Sequence, residues 1–300
     1  MLDYRTHTFL EVYRQRSFTR AASALLITQP AVSQHVKQLE AHYGCALFVK
    51  TGRGIEPTPA AEVLYDHLLT MENDERRIKA EAAELALAPR PKGGAPLIFG
   101  CTRTIADYIA PRIVASHLAR HPGASVTLRA GNTRDLVKAL DEGVIDFALV
   151  EGSFDRKRFA SETLSREPYI AVSKPGAAPA ASIRDLLCQR LILREAGSGT
   201  REILEKHLAA RDLAVSDFAG SVELESIPTI KACVKDGAGI SFVYRAAVMR
   251  ELDERELVDI TPLDFEVEHD FSLIWQRGSQ YAERYRTLCE SWRKLLAKRL

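Results

Sequence analysis

Paired cysteines, long apolar runs and a strong net charge are all missing from this chain, and each absence removes a class of protein. The five cysteines, Cys45, Cys101, Cys188, Cys233 and Cys289, stand far apart without a repeated spacing. That argues against a zinc motif and against a disulfide framework, and a reducing cytoplasm is the expected location. No apolar run approaches the roughly 18 residues that cross a bilayer. Met1-Leu2-Asp3-Tyr4-Arg5 leads into an amphipathic helix, not a secretory signal, so no membrane association is expected. Signatures of chemistry are also lacking. Gly197-x-Gly199-x-x-Glu202 misses the third glycine of a dinucleotide fingerprint, and there is no Walker lysine motif, nucleophile elbow or Cys/His signature. His117 and His121 stand four apart, as two ligands on one helix face would, yet no third ligand is apparent. Neither an enzyme, nor a catalytic residue, nor a cofactor, nor a metal site is expected.

The net charge of +1 hides an asymmetry. Residues 1–58 carry seven Lys/Arg against four Asp/Glu, leaving 34 against 36 in the rest. Binding phosphate needs local cations and not a basic whole, so this split fits a nucleic-acid-binding head on a neutral body. A length of 300 residues exceeds the usual domain of about 100–200 and predicts two or three domains.

The head is written in Ser17–Pro59. Thr19 is positioned to cap a short helix whose Ala22, Leu25 and Leu26 share a side, and Thr28 to cap a second helix beginning Gln29-Pro30. In that second helix Val32, Val36, Leu39 and Tyr43 are spaced to face a core, which leaves Pro30, Ser33, Gln34 and Lys37 outward. Gly44 ends the helix, Leu47-Phe48-Val49 predicts a strand, and Lys50-Thr51-Gly52-Arg53-Gly54 a tight turn with a cationic tip. A preceding helix over residues 3–15, with Phe9, Leu10 and Tyr13 on one face, completes a three-helix core with a wing.

Thr58-Pro59 supplies a cap and first-turn proline for a long helix over 59–88. Leu64, Met71, Ile78 and Leu85 recur every seven residues with Leu68 and Ala82 between them, the pattern of a dimerising seam. Glu75 interrupts that seam, and packing of the helix on its own domain is the alternative. The stretch 89–96, Pro89-Arg90-Pro91-Lys92-Gly93-Gly94-Ala95-Pro96, predicts a hinge. Beyond it strands and helices alternate over 97–300: strands near Leu97–Cys101, Ser125–Ala130 and Asp146–Val150, with helices near Ile105–Leu118 and Thr133–Leu140. A second set follows, with helices starting near Ser182, Thr200 and Ile227. This is α/β patterning, expected as two lobes, lobe I about 97–168 and 269–300 and lobe II about 169–268.

FTRAASALLITQPAVSQHVKQLEAHYGCALFVKTGRGIEPTPAAEVL resembles the winged helix-turn-helix and linker helix of LysR-type transcriptional regulators. GCTRTIADYIAP, AGNTRDLVKALDEGVIDFALVEG and VELESIPTIKACVKDGAGISFV resemble that family's effector-binding domain. The resemblance spans nearly the whole chain. It implies two Rossmann-like lobes, similar to periplasmic binding proteins, with a small-molecule effector between them. It further implies homodimers paired into tetramers, double-stranded DNA and the transcription machinery as partners, and the seam residues as a dimer contact.

Matched to the family pattern, Gln29, Pro30, Ser33, Gln34 and Lys37 face DNA. Gln34 can bond adenine in bidentate fashion, where the family often has Arg, so operator preference is not carried over. Arg53 at the wing tip can enter a narrow minor groove. Thr102-Arg103-Thr104 follows the first body strand and starts a helix, the place where open α/β sheets bind ligands. Leu193–Arg201 sets a second Gly/Ser loop at a helix start, with Ser198, Thr200 and Arg201 suited to an anion. Asn132, Thr133, Pro228 and Thr229 are further candidates. The plain alternative is that Thr102, Ser198 and Thr200 only cap helices. The Gly/Ser loop is similar to those of relatives controlling carbon-fixation and sulfur-assimilation genes, which implies a phosphorylated or carboxylated metabolite. Cys101 borders the expected cleft, as redox sensor or as buried filler.

Overall fold

The computed structural model describes residues 2–52, 54–86 and 96–297. Arg53 and, apart from Pro96, the expected hinge lie outside the described residues. The chain divides into two compact units. One is Met1–Arg90 with Asp141–Gly143 and Gln276–Ala282, the other Pro91–Leu140 with Val144–Trp275 and Glu283–Leu300.

In the first unit α1 (Tyr4–Gln15), α2 (Phe18–Leu25) and α3 (Gln29–Tyr43) precede a hairpin of β1 (Phe48–Thr51) and β2 (Gly54–Pro57) and the long α4 (Pro59–Ala86). Side-chain caps set these helix starts. Asp3 accepts from the N–H groups of Arg5 and Thr6, and Thr28 from Ala31. Thr58 caps α4 through Ala61 N–H and also donates to the Ala46 carbonyl, tying the helix start to the wing. Each such cap contributes about 1 kcal/mol. The cap of α2 is Ser17 and not Thr19, which lies inside the helix. Leu26 closes α2 in the left-handed region at φ 56 and is 92% exposed. That reversal points it outward, so Ala21 and Ala22, with Val12, Val32 and Val36, form the core there in place of Leu25 and Leu26. Tyr43 is exposed beside His42 and lies off the buried face of α3.

A second cluster joins Phe9, Leu10, Leu39 and Leu47 to Ala61, Leu68 and Leu69 of α4. This corrects the seam. Leu68 is buried in the head's own core, with Leu64 packed against it, because the residues of α4 that follow one another at three and four also meet α1. Met71 and Ile78 are exposed at 53% and 52%. Leu85 lies in α4, but its side chain is outside the described residues. Glu75, the interrupting residue, accepts from the backbone N–H of Leu2 and pairs with Lys79.

The second unit runs β3 (Leu97–Thr102), α5 (Arg103–Tyr108), α6 (Ala110–Arg120), β4 (Val126–Gly131), α7 (Thr133–Asp141), β5 (Phe147–Glu151) and a long β6 (Phe159–Ser173). It continues with β7 (Arg190–Leu193), α8 (Gly199–Ala209), β8 (Gly220–Glu223), α9 (Ile227–Lys235), β9 (Ile240–Tyr244), α10 (Arg245–Asp253), β10 (Val258–Asp259), β11 (Glu268–Gln276) and α11 (Ala282–Ala297). The strands form one sheet in the order β4-β3-β5-β11-β6-β9-β7-β8, with β10 beside β6. β3 is parallel to both β4 and β5, and β7 to both β8 and β9, so each half of the sheet aligns strand ends for a site. β11 pairs antiparallel with β5, Phe271 opposite Glu151, and α11 buries Trp292 against Phe99 and Phe147. Each such fully buried aromatic contributes about 2–3 kcal/mol.

Two departures have local causes. The single helix expected over Ile105–Leu118 is broken at Ile109, φ −112, because Pro111 has no N–H to continue the ladder. The segment near Ser182 forms only a 3-10 turn, Ile183–Leu186. α10 was not among the expected helices.

Candidate functional site

On the head, Gln29, Pro30, Gln34 and Lys37 are exposed and Ser33 half-buried along one side of α3. The buried side of the same helix holds Val32, Val36 and Leu39. α3 is fixed from behind, since His35 bonds Thr8 Oγ1 at 3.0 Å and packs edge-on against Tyr4. Glu40 Oε1 accepts from the N–H groups of Leu47 and Phe48, at 2.8 and 3.4 Å, and so anchors the wing to the helix. Glu40 was not singled out in the sequence, because a charged residue on a helix usually faces water.

In the second unit the carboxyl ends of β3, β4 and β5 meet the start of α8. Residues Thr102, Arg103, Asn132, Thr133, Glu151, Arg194 and Ser198 border a small cavity of about 30 Å³, room for a water-sized group. It shares Asn132, Thr133, Glu151 and Gly199 with a neighbouring cavity of about 390 Å³, within the usual range for small-molecule sites. Thr102 and Ser198 occupy the N-cap positions of α5 and α8, yet neither side chain makes the capping hydrogen bond. Both residues are buried, at 4% and 5% exposure, and the buried Thr102 Oγ1 has no partner among the described residues. Capping therefore does not account for Thr102. A buried hydroxyl left unpaired costs about 1–3 kcal/mol.

Glu151, the last residue of β5, lies at the centre and was absent from the sequence candidates. Its side chain is 3% exposed, and Oε1 accepts from Thr104 Oγ1 at 3.1 Å and from Thr200 Oγ1 at 3.2 Å. These hydroxyls come from α5 and α8, so the carboxyl joins both halves of the sheet. Oε2 is buried and has no partner among the described residues. Burial pushes the carboxyl up to about 7, against the lowering effect of Thr104, Thr200 and Arg194. Below it Tyr169 donates to the Thr200 carbonyl at 2.9 Å.

The other candidates divide. Asn132 Oδ1 caps α7 through Asp135 N–H at 2.9 Å, and with Thr133 it borders both cavities. Arg103 borders the smaller cavity, half-exposed, with Glu225 4.0 Å away. Arg201 does not border either cavity; it bonds Glu205 at 2.7 Å and Glu223 at 2.5 Å, partners that draw it along the outside of α8. The buried cation bordering the smaller cavity is Arg194, 5% exposed and paired with Glu195 at 2.7 and 2.9 Å. Pro228 and Thr229 are exposed at the start of α9, and Pro228 borders a different pocket, with Tyr108 and Lys231. Cys101 is fully buried and its thiol is pushed far above the ordinary range by burial, which makes it unreactive filler. The His117 and His121 rings lie 4.8 Å apart, and among the described residues no cluster of three His, Cys, Asp or Glu is arranged to hold a metal ion. Among the same residues, no helix is long and apolar enough to cross a membrane.

Comparison with known proteins matches residues 5–62 to the family described as bacterial regulatory helix-turn-helix protein, lysR family, and residues 93–297 to the LysR substrate binding domain. The transcriptional regulator CfxR of Cupriavidus necator is 31% identical over 296 residues, covering 96% of this chain and 88% of CfxR. Among solved structures, full-length LysG from Corynebacterium glutamicum with bound effector Arg has a TM-score of 0.66 at 17% identity, covering 98% of both chains. The CcmR regulatory domain from Synechocystis PCC6803 in complex with 2-PG has a TM-score of 0.59 at 20% identity, covering 67% of this chain and 97% of that one. A helix-turn-helix head and a LysR substrate binding domain thus follow one another along the chain. The chain belongs to the LysR family of bacterial transcriptional regulators.

Proposed function

We propose that this effector-responsive, DNA-binding regulator senses a small anionic metabolite at the joined cavities bordered by Thr102, Glu151 and Ser198. The observation that carries the reading is the unpaired, buried Thr102 hydroxyl at the start of α5, on a cavity that Glu151 and the start of α8 also border. Two helix N-termini converge there, and their backbone N–H groups favour oxyanions. Arg103 adds a cation, and Asn132 and Thr133 add polar contacts. LysG with bound effector Arg and CcmR in complex with 2-PG, of the same fold, support an effector role for the same domain.

Lobe I (about 97–168 and 269–300) and lobe II (about 169–268) close around the effector, and the change passes through the hinge at 89–96 to the helix over 59–88. The chain works as a homodimer or homotetramer in the cytoplasm, with Met71 and Ile78 at the dimer contact, and it performs no catalysis. Gln29, Pro30, Ser33, Gln34, Lys37 and Arg53 contact double-stranded DNA, and the transcription machinery reads the outcome. A thermal-shift screen of phosphorylated and carboxylated metabolites tests the site. A ligand at about 100 times its Kd adds about 2.7 kcal/mol to the native state. The upshift is expected to shrink in Thr102→Val; an upshift identical in that variant would refute this location.

A further inference from the structure

The acid at the centre of the cavity is poorly matched to an anionic ligand unless it carries a proton. Glu151 Oε1 is occupied by two hydroxyl donors, which leaves Oε2 as the atom that can meet a ligand. Among the described residues no cation is bonded to Oε2. Arg194 gives both of its carboxylate-facing nitrogens to Glu195, and Arg103 leans toward Glu225. The remaining ionisable groups around the carboxyl do not neutralise it. Glu195 and Glu202 border the cavities with the same sign of charge, Tyr169 is committed to the Thr200 carbonyl, and Tyr244 is fully buried. Arg134 stands on the wall of the larger cavity, on α7.

We propose that Glu151 enters the effector complex as the neutral acid, donating Oε2–H to a compact oxyanion, so that anion and proton bind together. The inference rests on the effector reading above. It makes Glu151 the residue that selects a hydrogen-bond-accepting oxyanion over an ammonium-bearing ligand. It also makes effector affinity depend on pH. The environment agrees, since burial raises the carboxyl to about 7, where the proton is readily supplied. Above that value each bound anion must draw a proton from solvent, and affinity falls about tenfold per pH unit.

The test is calorimetric titration of the full chain with sodium sulfate, a dianion across the whole range, from about pH 6 to about pH 8.5. Each pH is run in two buffers of different ionisation heat, which yields the protons taken up per sulfate. For the wild type, weakening above about pH 7 and an uptake approaching one proton per sulfate are expected. Glu151→Gln, a permanent neutral donor, is expected to bind with no proton uptake and a flat pH profile. Thr102→Val is expected to weaken binding at every pH, and it separates this site from sulfate on the basic head.

Binding that depends on Thr102 but takes up no proton overturns the inference and leaves the site intact. Proton uptake that persists in Glu151→Gln overturns it as well, because the proton then resides elsewhere. Sulfate binding indifferent to Thr102→Val, or absent at about pH 6, overturns the site and the inference together. Tighter binding of ammonium ion than of sulfate, rising with pH and lost in Glu151→Gln, means an ionised Glu151 and overturns the selection of anions.

Discussion

Replacing Glu151 by Gln is expected to change how stability depends on pH, without any ligand present. The folded carboxyl sits at about 7 against an ordinary 4.5. Between those values the native state holds a proton that the unfolded chain has lost, so stability falls as pH rises through this window. The contribution is fully favourable below about pH 4.5 and fully lost above about pH 7. A displacement of this size is worth about 3 kcal/mol, since one pH unit corresponds to about 1.4 kcal/mol. For a unit of this size about 2–4 °C accompanies each kcal/mol, and about 2.5 kcal/mol of the total falls between about pH 5 and about pH 8, so Tm of the larger unit is expected to drop by about 5–10 °C more in the wild type than in Glu151→Gln over that range. Differential scanning calorimetry on both proteins measures it, and the difference between their curves cancels groups they share. Glu72 and Glu251, held below the usual carboxylate range by Arg14 and Lys231 although burial opposes it, act in the opposite sense and at lower pH in both proteins. A wild-type minus variant difference that stays constant across the range would refute the account of a buried, proton-holding acid.

On the head, Lys37→Ala is expected to weaken binding to operator and scrambled DNA alike and to lower the salt slope by about 1, whereas Gln34→Ala relaxes base preference; mobility shifts at several salt concentrations distinguish them, and equal losses from both variants on both DNAs would sink the assignment. Leu68→Ala is expected to destabilise the head by about 2–5 kcal/mol, as a buried leucine does, while Met71→Lys with Ile78→Lys dissociates the oligomer, removes only the stabilisation that association supplies and makes Tm independent of protein concentration. Sedimentation velocity and calorimetry read these two effects, and an intact oligomer in the double variant would remove Met71 and Ile78 from the contact. Gly197→Ala places a side chain at φ +84, a cost of about 1–2 kcal/mol for an L-residue. The loop before Ser198 is expected to shift, and thermal scans with and without effector show whether both stability and the ligand-induced upshift fall.

Features that depend on neighbours in the chain were open to reading from the residues. Thr28 and Thr58 cap α3 and α4 because a hydroxyl two or three residues before free N–H groups needs no distant partner. Thr102 and Ser198 were legible for a different reason: strand-to-helix junctions at the carboxyl ends of parallel strands occupy the same relative place in open α/β sheets. Misplaced residues each had a competing partner elsewhere in the fold. Leu68 repeats with the seam, but a helix lying on α1 buries the same three-four pattern, and the core claimed it. Arg201 sits beside the anion-friendly loop, yet Glu205 is one turn ahead of it and Glu223 on the neighbouring strand. The first of those pairs was readable at four-residue spacing.

Glu151 shows where such reading stops. In Val150-Glu151-Gly152 it looks like an ordinary polar residue closing a strand before a turn. Its character comes from Thr104 and Thr200, 47 and 49 residues away in opposite directions, and from the burial that closing the two halves of the sheet imposes. No spacing rule links three residues so far apart. The chemistry that results is the reverse of what the isolated residue offers: a carboxylate that would repel an oxyanion becomes, once buried, an acid able to donate to one. Topology marks the strand ends where Thr102 and Ser198 lie, and on the proposed reading the acid brought there by folding determines when an anion can fill the site. If it does take up a proton with the anion, the regulator responds to the product of two concentrations, and a drop in pH at constant metabolite shifts DNA occupancy in the same direction as added metabolite.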